Sequence, residues 1–449
     1  MKNIESLAEE KISKLLIKYS VPAILSMLIT SLYNIVDRAF IGAIKDVGPL
    51  AIAGLGVTMP IFTLIVSFGV LISMGATTNI AIKLGEGNHK EAEKYLGNAF
   101  IFSIIVALVI MVIGLSFINP ILKIFGASPD TIIYAKEYIS VILIGSVSCI
   151  TGFTLNNIIR VDGSPKFAAR TMILGCLINV ILDPIFIFTF NMGIRGAAIA
   201  TVLTQVIVFV VIIWYFLSDK STMKLKRENF RLEIRTVKKI ILLGIAPFLM
   251  ELATSFVSLI MNNSLKIYGG DLAIGAMTAV TSIVLIFIMP IFGINQGVQT
   301  IIGYNYGAKK YKRAKDSLKL AILYSTIISV IGFILIEIFP KVFISIFSTD
   351  VELMSVAIGG LRVYALTLPL IGVILIGPAY FQAIGKVKQS MFLSVLRQVI
   401  VLIPVLYILP KFINLDGVWV AQPITDIISA LIIVFLLVKE FKINNINIV

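Results

Sequence analysis

The sequence predicts an all-α integral membrane protein, with twelve transmembrane helices arranged as two pseudo-symmetric six-helix bundles. Three observations carry that expectation. The 449 residues are 58% hydrophobic and 14% charged, with a mean hydropathy of +1.02, whereas soluble domains carry about 25% charge. Twelve apolar runs approach the roughly 20 residues that a bilayer core about 30 Å thick demands of a helix. The chain also repeats itself: Gly48-Pro-Leu-Ala-Ile-Ala-Gly-Leu55, Gly75 and Gly85-Glu-Gly-Asn-His-Lys-Glu-Ala92 return 222 residues later as Gly270-Asp-Leu-Ala-Ile-Gly-Ala-Met277, Gly297 and Gly307-Ala-Lys-Lys-Tyr-Lys-Arg-Ala314. Phe125 and Phe347, and Gly163 and Gly385, keep the offset, while Thr201 and Thr425 stand 224 apart. Such an offset marks a duplicated architecture, and duplicated membrane proteins commonly place a pathway between or within their halves. Runs this long lack the alternation of a β-barrel.

Taken in order, residues 1–18 set Ile4, Leu7, Ile12, Leu15 and Leu16 among lysines and glutamates, which predicts an amphipathic cytoplasmic segment on the inner surface before Val21-Pro22 starts the first span. No small-residue cleavage site follows a short apolar region, so a removable signal peptide is not expected. Residues 19–217 are expected to form an N-lobe, with spans at 19–41, 52–77, 95–118, 131–157, 167–190 and 195–217. A basic cytoplasmic linker, 218–239, leads to a C-lobe at 240–438, with spans at 240–265, 271–298, 318–340, 353–379, 388–410 and 416–438. Residues 439–449 form the cytoplasmic C-terminus.

Charge gives the orientation. Of 38 Lys and Arg, 28 fall on the N-terminal side of these spans, 6 on the other side, and Arg38, Lys136, Arg362 and Arg397 inside them, which predicts that both termini are cytoplasmic in a bacterial-type inner membrane. The formal net charge of +14 is then a topology signal and a contact with anionic lipid. No loop is long enough for a folded basic domain, so no nucleic-acid partner is expected, and no zipper or extramembrane domain points to an obligate protein partner. Cys149 and Cys176 read as apolar packing residues, and His89, the only histidine, as a loop residue. With one loop histidine and two separated thiols, the chain lacks the constellation of an enzyme, and no cofactor is expected.

Polar groups inside the spans carry the functional information, because a charge at the bilayer centre costs several kcal/mol unless it faces a cavity or a partner. Asp37 lies about five residues, or roughly 7 Å, from the outer end of the first span, and Asp183 about seven residues from that of the fifth. Asn179 and Asp183, four apart, share a helical face. Pro184 beside them removes a backbone donor, and Thr201 of the sixth span reaches the same layer. Two carboxylates, an amide and a hydroxyl at one depth make a hard-cation site or a proton-binding pair; the alternative is a structural network in which Asp37 pairs with Arg38. In the other half, Glu251, Asp426, Gln422 and Arg397 lie near mid-bilayer as candidates for a substrate cavity, in which Arg397 neutralises Glu251 or Asp426 and leaves the other acid to meet a cationic substrate; the alternative is a permanent ion pair that fixes helices of the second bundle. The position aligned with Asp37 is Asn262, so the halves are electrostatically unequal.

Tyr33-Asn-Ile-Val-Asp-Arg-Ala-Phe-Ile-Gly42, Asn156-Asn-Ile-Ile-Arg-Val-Asp-Gly-Ser-Pro165, Asn179-Val-Ile-Leu-Asp-Pro184 and Gly196-Ala-Ala-Ile-Ala-Thr201 together resemble the multidrug and toxin extrusion (MATE) transporters, bacterial type, of the multidrug/oligosaccharidyl-lipid/polysaccharide flippase superfamily. The resemblance spans nearly the whole chain. It implies two six-helix lobes and an antiporter that expels cationic or polyaromatic organic compounds against entry of Na⁺ or H⁺. It also implies an N-lobe cation site at Asp37, Asn179, Asp183, Thr201 and Asn156, with Na⁺ held by the first four. Asn156 falls near the cytoplasmic end by depth, so its membership demands a bend or a long fourth span. Glu251 matches the seventh-helix acid of a branch with an additional C-lobe cation site, but the tenth-helix acid of that branch is missing between Leu353 and Gln382, which favours the N-lobe for coupling. Met27, Met59, Met261 and Met289, with Phe62, Met250 and Met277, offer a soft cavity wall for varied small organic cations. The span prolines 22, 60, 184, 247, 290, 369, 378, 404 and 423 mark kinks. A lipid-linked oligosaccharide flippase, kept open by Arg362 and Arg397, and a channel are the alternatives.

Overall fold

A computed structural model of the chain describes residues 2–45, 47–347 and 350–446, and every regular element among them is helical. Among the described residues, eleven helices are long and apolar enough to cross a membrane, and the pair Ile132–Ile144 and Ser146–Val161, bent by 54°, has that length and apolarity when taken as one span. The chain is therefore a multi-pass membrane protein. Its first to sixth spans are Ile12–Gly42, Leu50–Gly85, His89–Ser116, the bent pair, Pro165–Thr189 and Gly193–Leu217. The seventh to twelfth are Ile234–Gly270, Leu272–Gly307, Tyr311–Ile338, Val351–Ala383, Val387–Ile408 and Pro410–Lys442.

Contacts group the chain into two compact units, Met1–Glu9 with Leu25–Phe248, and Glu10–Ile24 with Leu249–Val449. The divisions fall inside the first and seventh spans, and packing explains why. In the first unit a Cβ added at Gly75 would stand 1.9 Å from the Ile240 carbonyl oxygen, and one added at Gly244 would stand 1.7 Å from that of Leu71. In the second unit a Cβ at Gly297, the repeat partner of Gly75, would lie 2.8 Å from Ser20 Oγ, and one at Gly293 2.5 Å from Ile24 Cγ1. Small residues permit this backbone-to-backbone approach between membrane helices. The second helix of each repeat thus packs against the opening turns of the other repeat's first helix.

Several local features differ from a reading by hydropathy. The helix of the first span opens at Ile12, and Leu7, Leu15, Leu16 and Tyr19 are buried, so this segment packs on protein; the side chain of Ile4 lies outside the described residues. Lys14 and Lys18 fold back on Glu10, at 2.7 and 3.4 Å. The fourth span breaks at Gly145, where Ser146 Oγ donates to the Ala107 carbonyl at 3.2 Å. The tenth span breaks at the equivalent place, with a 3-10 turn at Leu368–Leu370 between Val351–Ala365 and Ile371–Ala383. Repeated breaks at one offset are features of the fold.

The basic linker is strapped to the first unit. Asp162, buried at the end of the fourth span, accepts from Tyr215 Oη at 2.6 Å, Ser221 Oγ at 2.8 Å, and the backbone N–H groups of Thr222 and Met223 at 3.1 and 3.2 Å. The Thr222 hydroxyl donates to it as well. Glu93 accepts from the Lys224 N–H at 3.1 Å and pairs with Lys226 at 2.6 Å. Farther along, the Glu233 N–H donates to Asn98 Oδ1 at 2.8 Å, and its carboxylate meets Lys94 at 2.6 Å.

Candidate functional site

The first unit gathers its acids into one cluster. Asp37, on the first span, and Asp183, on the fifth, are both buried and lie close enough to influence one another electrostatically. Asn179 sits one turn before Asp183 and donates from Nδ2 to Asp183 Oδ1 at 3.0 Å. Beyond Pro184 the helix widens into a π-helical turn, Ile185–Thr189, a local register change that recurs at functional sites. Tyr33, one turn before Asp37, and Tyr138, from the fourth span, lie near the acids.

The oxygens of this cluster are short of donors. Among the described residues, Asp37 Oδ1, Asn179 Oδ1 and Asp183 Oδ2 are buried without a protein hydrogen-bond partner, as are Thr201 Oγ1 and Thr204 Oγ1 on the sixth span. Buried polar atoms are normally satisfied, and each exception calls for an explanation such as an ion or a water. Two facing carboxylates with further oxygens around them suit a hard cation or a shared proton. Asp37 is not held by its neighbour: among the described residues it forms no ion pair with Arg38, whose guanidinium is exposed and reaches Met59 Sδ at 3.9 Å. Asn156 is engaged elsewhere, donating to Thr171 Oγ1 at 2.7 Å and the Ala168 carbonyl at 3.1 Å, with Arg160 on its Oδ1 at 3.5 Å. Thr171 precedes Asn179 by eight residues on one helix, a separation of about 12 Å at 1.5 Å per residue, so the structure does not bring Asn156 into the acid cluster.

The second unit is built differently. Asp426 accepts on Oδ1 from Arg397 Nε at 2.8 Å and Gln422 Nε2 at 3.0 Å, and on Oδ2 from Thr367 Oγ1 at 3.1 Å. Arg397 thus neutralises Asp426 and not Glu251. These four residues form one wall of a cavity of about 410 Å³, whose other walls include Thr254, Ser258, Met261, Asn262, Thr281 and Leu285.

The profile of the MatE family matches residues 22–185 and again 247–408, two copies that fall on the two repeats. The chain belongs to the MatE family. Among curated proteins, this MatE chain is 28% identical over 428 residues, 94% of either chain, to "Multidrug export protein MepA" of Staphylococcus aureus (strain bovine RF122 / ET3-1). It is 27% identical to the protein of the same name from Staphylococcus haemolyticus (strain JCSC1435), over 95% of this chain and 94% of the relative. Among solved structures, it superposes with a TM-score of 0.92 and 24% identity on an outward-facing multidrug resistance MATE family transporter of the MOP superfamily, covering 100% of this chain and 99% of the other. That likeness establishes the fold.

The remaining expected residues of the MatE chain are dispersed. Glu251 is exposed and, among the described residues, forms no hydrogen bond or ion pair. Met261 is buried in the cavity wall, whereas Met27, Met59 and Met289 are half-buried and do not line that cavity. The tyrosines at the acid cluster were not anticipated from the sequence; Tyr33 was readable, since it stands at i−4 from Asp37 on one helical face. Tyr138 had no such signal.

Proposed function

We propose that this MatE chain is a secondary active multidrug exporter, which expels cationic or polyaromatic organic compounds in antiport with Na⁺ or H⁺ by alternating access. The observation that carries the reading is the meeting of Asp37 and Asp183 amid buried oxygens that lack protein donors. The family match and the names of the staphylococcal relatives support the export of small molecules. The lysine and arginine bias supports a cell membrane location with both termini cytoplasmic, and the internal repeat supports lobes at 19–217 and 240–438 joined by the 218–239 linker.

In this account the coupling cation and the cargo compete for the same negative charge. An Na⁺ ion would take Asp37, Asp183, Asn179 Oδ1 and Thr201 Oγ1 as oxygen ligands, and a proton would sit on the Asp37–Asp183 pair. Either neutralises the cluster and removes the attraction for a cationic drug, which leaves on the outer side. When the cation departs inward, the recharged carboxylates accept the next drug. Differential affinity for the two states is the only lever a ligand has over a conformational equilibrium.

Reconstituted wild type and Asp37→Asn, given a sodium gradient or a proton gradient alone, test the reading with a fluorescent organic cation. Concentrative uptake in the wild type and its loss in the variant are expected, and the effective gradient names the ion. Gradient-driven accumulation that persists in Asp37→Asn/Asp183→Asn would overturn the assignment.

A further inference from the structure

The second-unit cavity holds an arginine that its acid partner engages from one side only. Asp426 is saturated: each of its oxygens has at least one donor, three in all. Arg397 contributes only its Nε to that pair, and among the described residues its two terminal nitrogens meet no acceptor. A guanidinium carries five N–H donors in a rigid fork, so four remain unengaged. Arg397 nevertheless lines the cavity with its side chain only 17% exposed. The local backbone holds it there. It lies in a π-helical turn, Leu396–Leu402, which runs into Pro404 at the start of the helix Ile403–Ile408. Proline offers no N–H to the preceding turn, and π-helical turns cluster at functional sites. This is the same span of its repeat as Asp183, Pro184 and the first π-helical turn.

We infer that this cavity is a second binding site, for small organic molecules that bear a carboxylate, with the Nη fork of Arg397 as the anchor. The fork matches the two oxygens of a carboxylate in a bidentate pair, which an ammonium or a neutral amide cannot form. About 410 Å³ lies within the roughly 300–1,000 Å³ of small-molecule pockets. Val257, Met261, Leu285 and Ile288 supply an apolar wall for the ligand body, and Thr254, Asn262 and Thr281 supply hydroxyls and an amide. Asp426 balances Arg397 in the absence of ligand, and its three existing donors keep it in place when the fork is taken. The second unit then accepts amphoteric and anionic compounds, which the acid cluster of the first unit would repel. The inference takes from the proposed function only that the chain binds small organic molecules.

The test is an equilibrium titration of the full-length chain in lipid nanodiscs with dansylglycine and with dansylglycinamide, which has the same shape without the charge. The acid is expected to bind at least tenfold more tightly than the amide. Arg397→Lys reduces that preference, because an ammonium lacks the fork, and Arg397→Gln/Asp426→Asn, which removes both charges together, abolishes it. Thr281→Trp, which fills the cavity from the eighth span, abolishes binding of the acid and keeps the test decisive if the double variant does not fold. Equal binding of acid and amide by the wild type, binding of neither, or a preference that survives these variants and is lost in Asp37→Asn would overturn the inference. No ion gradient enters the titration, so a failure of coupled transport leaves its outcome unchanged.

Discussion

Replacing Asp162 by alanine should release the linker from the first unit while the spans stay folded. The carboxylate is 1% exposed and holds Tyr215, Ser221, Thr222 and Met223 through five hydrogen bonds. A hydrogen bond to a charged group contributes about 1.5–3 kcal/mol, and a buried donor left without an acceptor costs about 1–3 kcal/mol. Burial opposes these gains, since it pushes the Asp162 carboxyl above its ordinary value of 3.8, so the gross sum overstates the effect. A net loss of about 3 kcal/mol in the free energy of local opening is a conservative figure, and at 1.4 kcal/mol per tenfold it is about a hundredfold in open population. Proteolysis follows that population when reclosing outpaces cleavage. Limited trypsin digestion of the reconstituted protein reads it directly, because Lys220, Lys224 and Lys226 lie within or beside the strapped segment. Asp162→Ala should be cut there about a hundredfold faster, and Asp162→Asn, which keeps one acceptor oxygen, at an intermediate rate. Unchanged cleavage in Asp162→Ala would refute the strap.

Two further outcomes follow from the same geometry. Asp426→Ala should destabilise the folded chain by roughly 1.5–3 kcal/mol, the contribution of a hydrogen bond to a charged group, because it removes the counter-charge of an Arg397 side chain that is only 17% exposed; thermal unfolding should show a clearly smaller loss for Arg397→Gln/Asp426→Asn, and equal losses would argue against an energetically coupled pair. The hydrogen bond from Lys94 holds the Glu233 carboxyl below its ordinary value of 4.5. A depressed acid contributes stability above its unfolded value that is lost as pH falls through the folded one, so the exchange protection of the Glu233 amide should hold at neutral pH and decline below about 4.5. Protection independent of pH across that range would show that the pair does not contribute.

Depth was legible in the sequence and azimuth was not. Helical rise converts residue count into depth, so Asp37, Asn179, Asp183 and Thr201 could be assigned to one layer from the ends of their apolar runs. Rotation about each helix axis is fixed by packing. Glu251 shows this, since its mid-bilayer position is unremarkable and its side chain is nonetheless exposed. Arg397 shows it too: two acids lay at its depth, and it pairs with Asp426. Tyr138 lies near the acids on the part of the fourth span that precedes its break at Gly145, a break for which hydropathy gives no signal. Asn156 was drawn toward the cluster by resemblance, whereas in the structure Thr171 and Arg160 take up its amide. The duplication was visible at once in the 222-residue offset, but the exchange of opening turns between repeats was not. It depends on Gly75 meeting Ile240 and Gly297 meeting Ser20, contacts that join residues far apart in the chain.

Reciprocity offers the most direct test of the central claim, since an exchanger coupled through Asp37 and Asp183 must also run in reverse. Proteoliposomes holding the wild-type chain, with no ion gradient imposed, would be given an outward gradient of a fluorescent organic cation while internal Na⁺ and pH are followed. Drug exit is expected to drive uphill entry of one of the two cations, and Asp37→Asn/Asp183→Asn to abolish this entry. Drug exit at the wild-type rate with no displacement of either cation would contradict it.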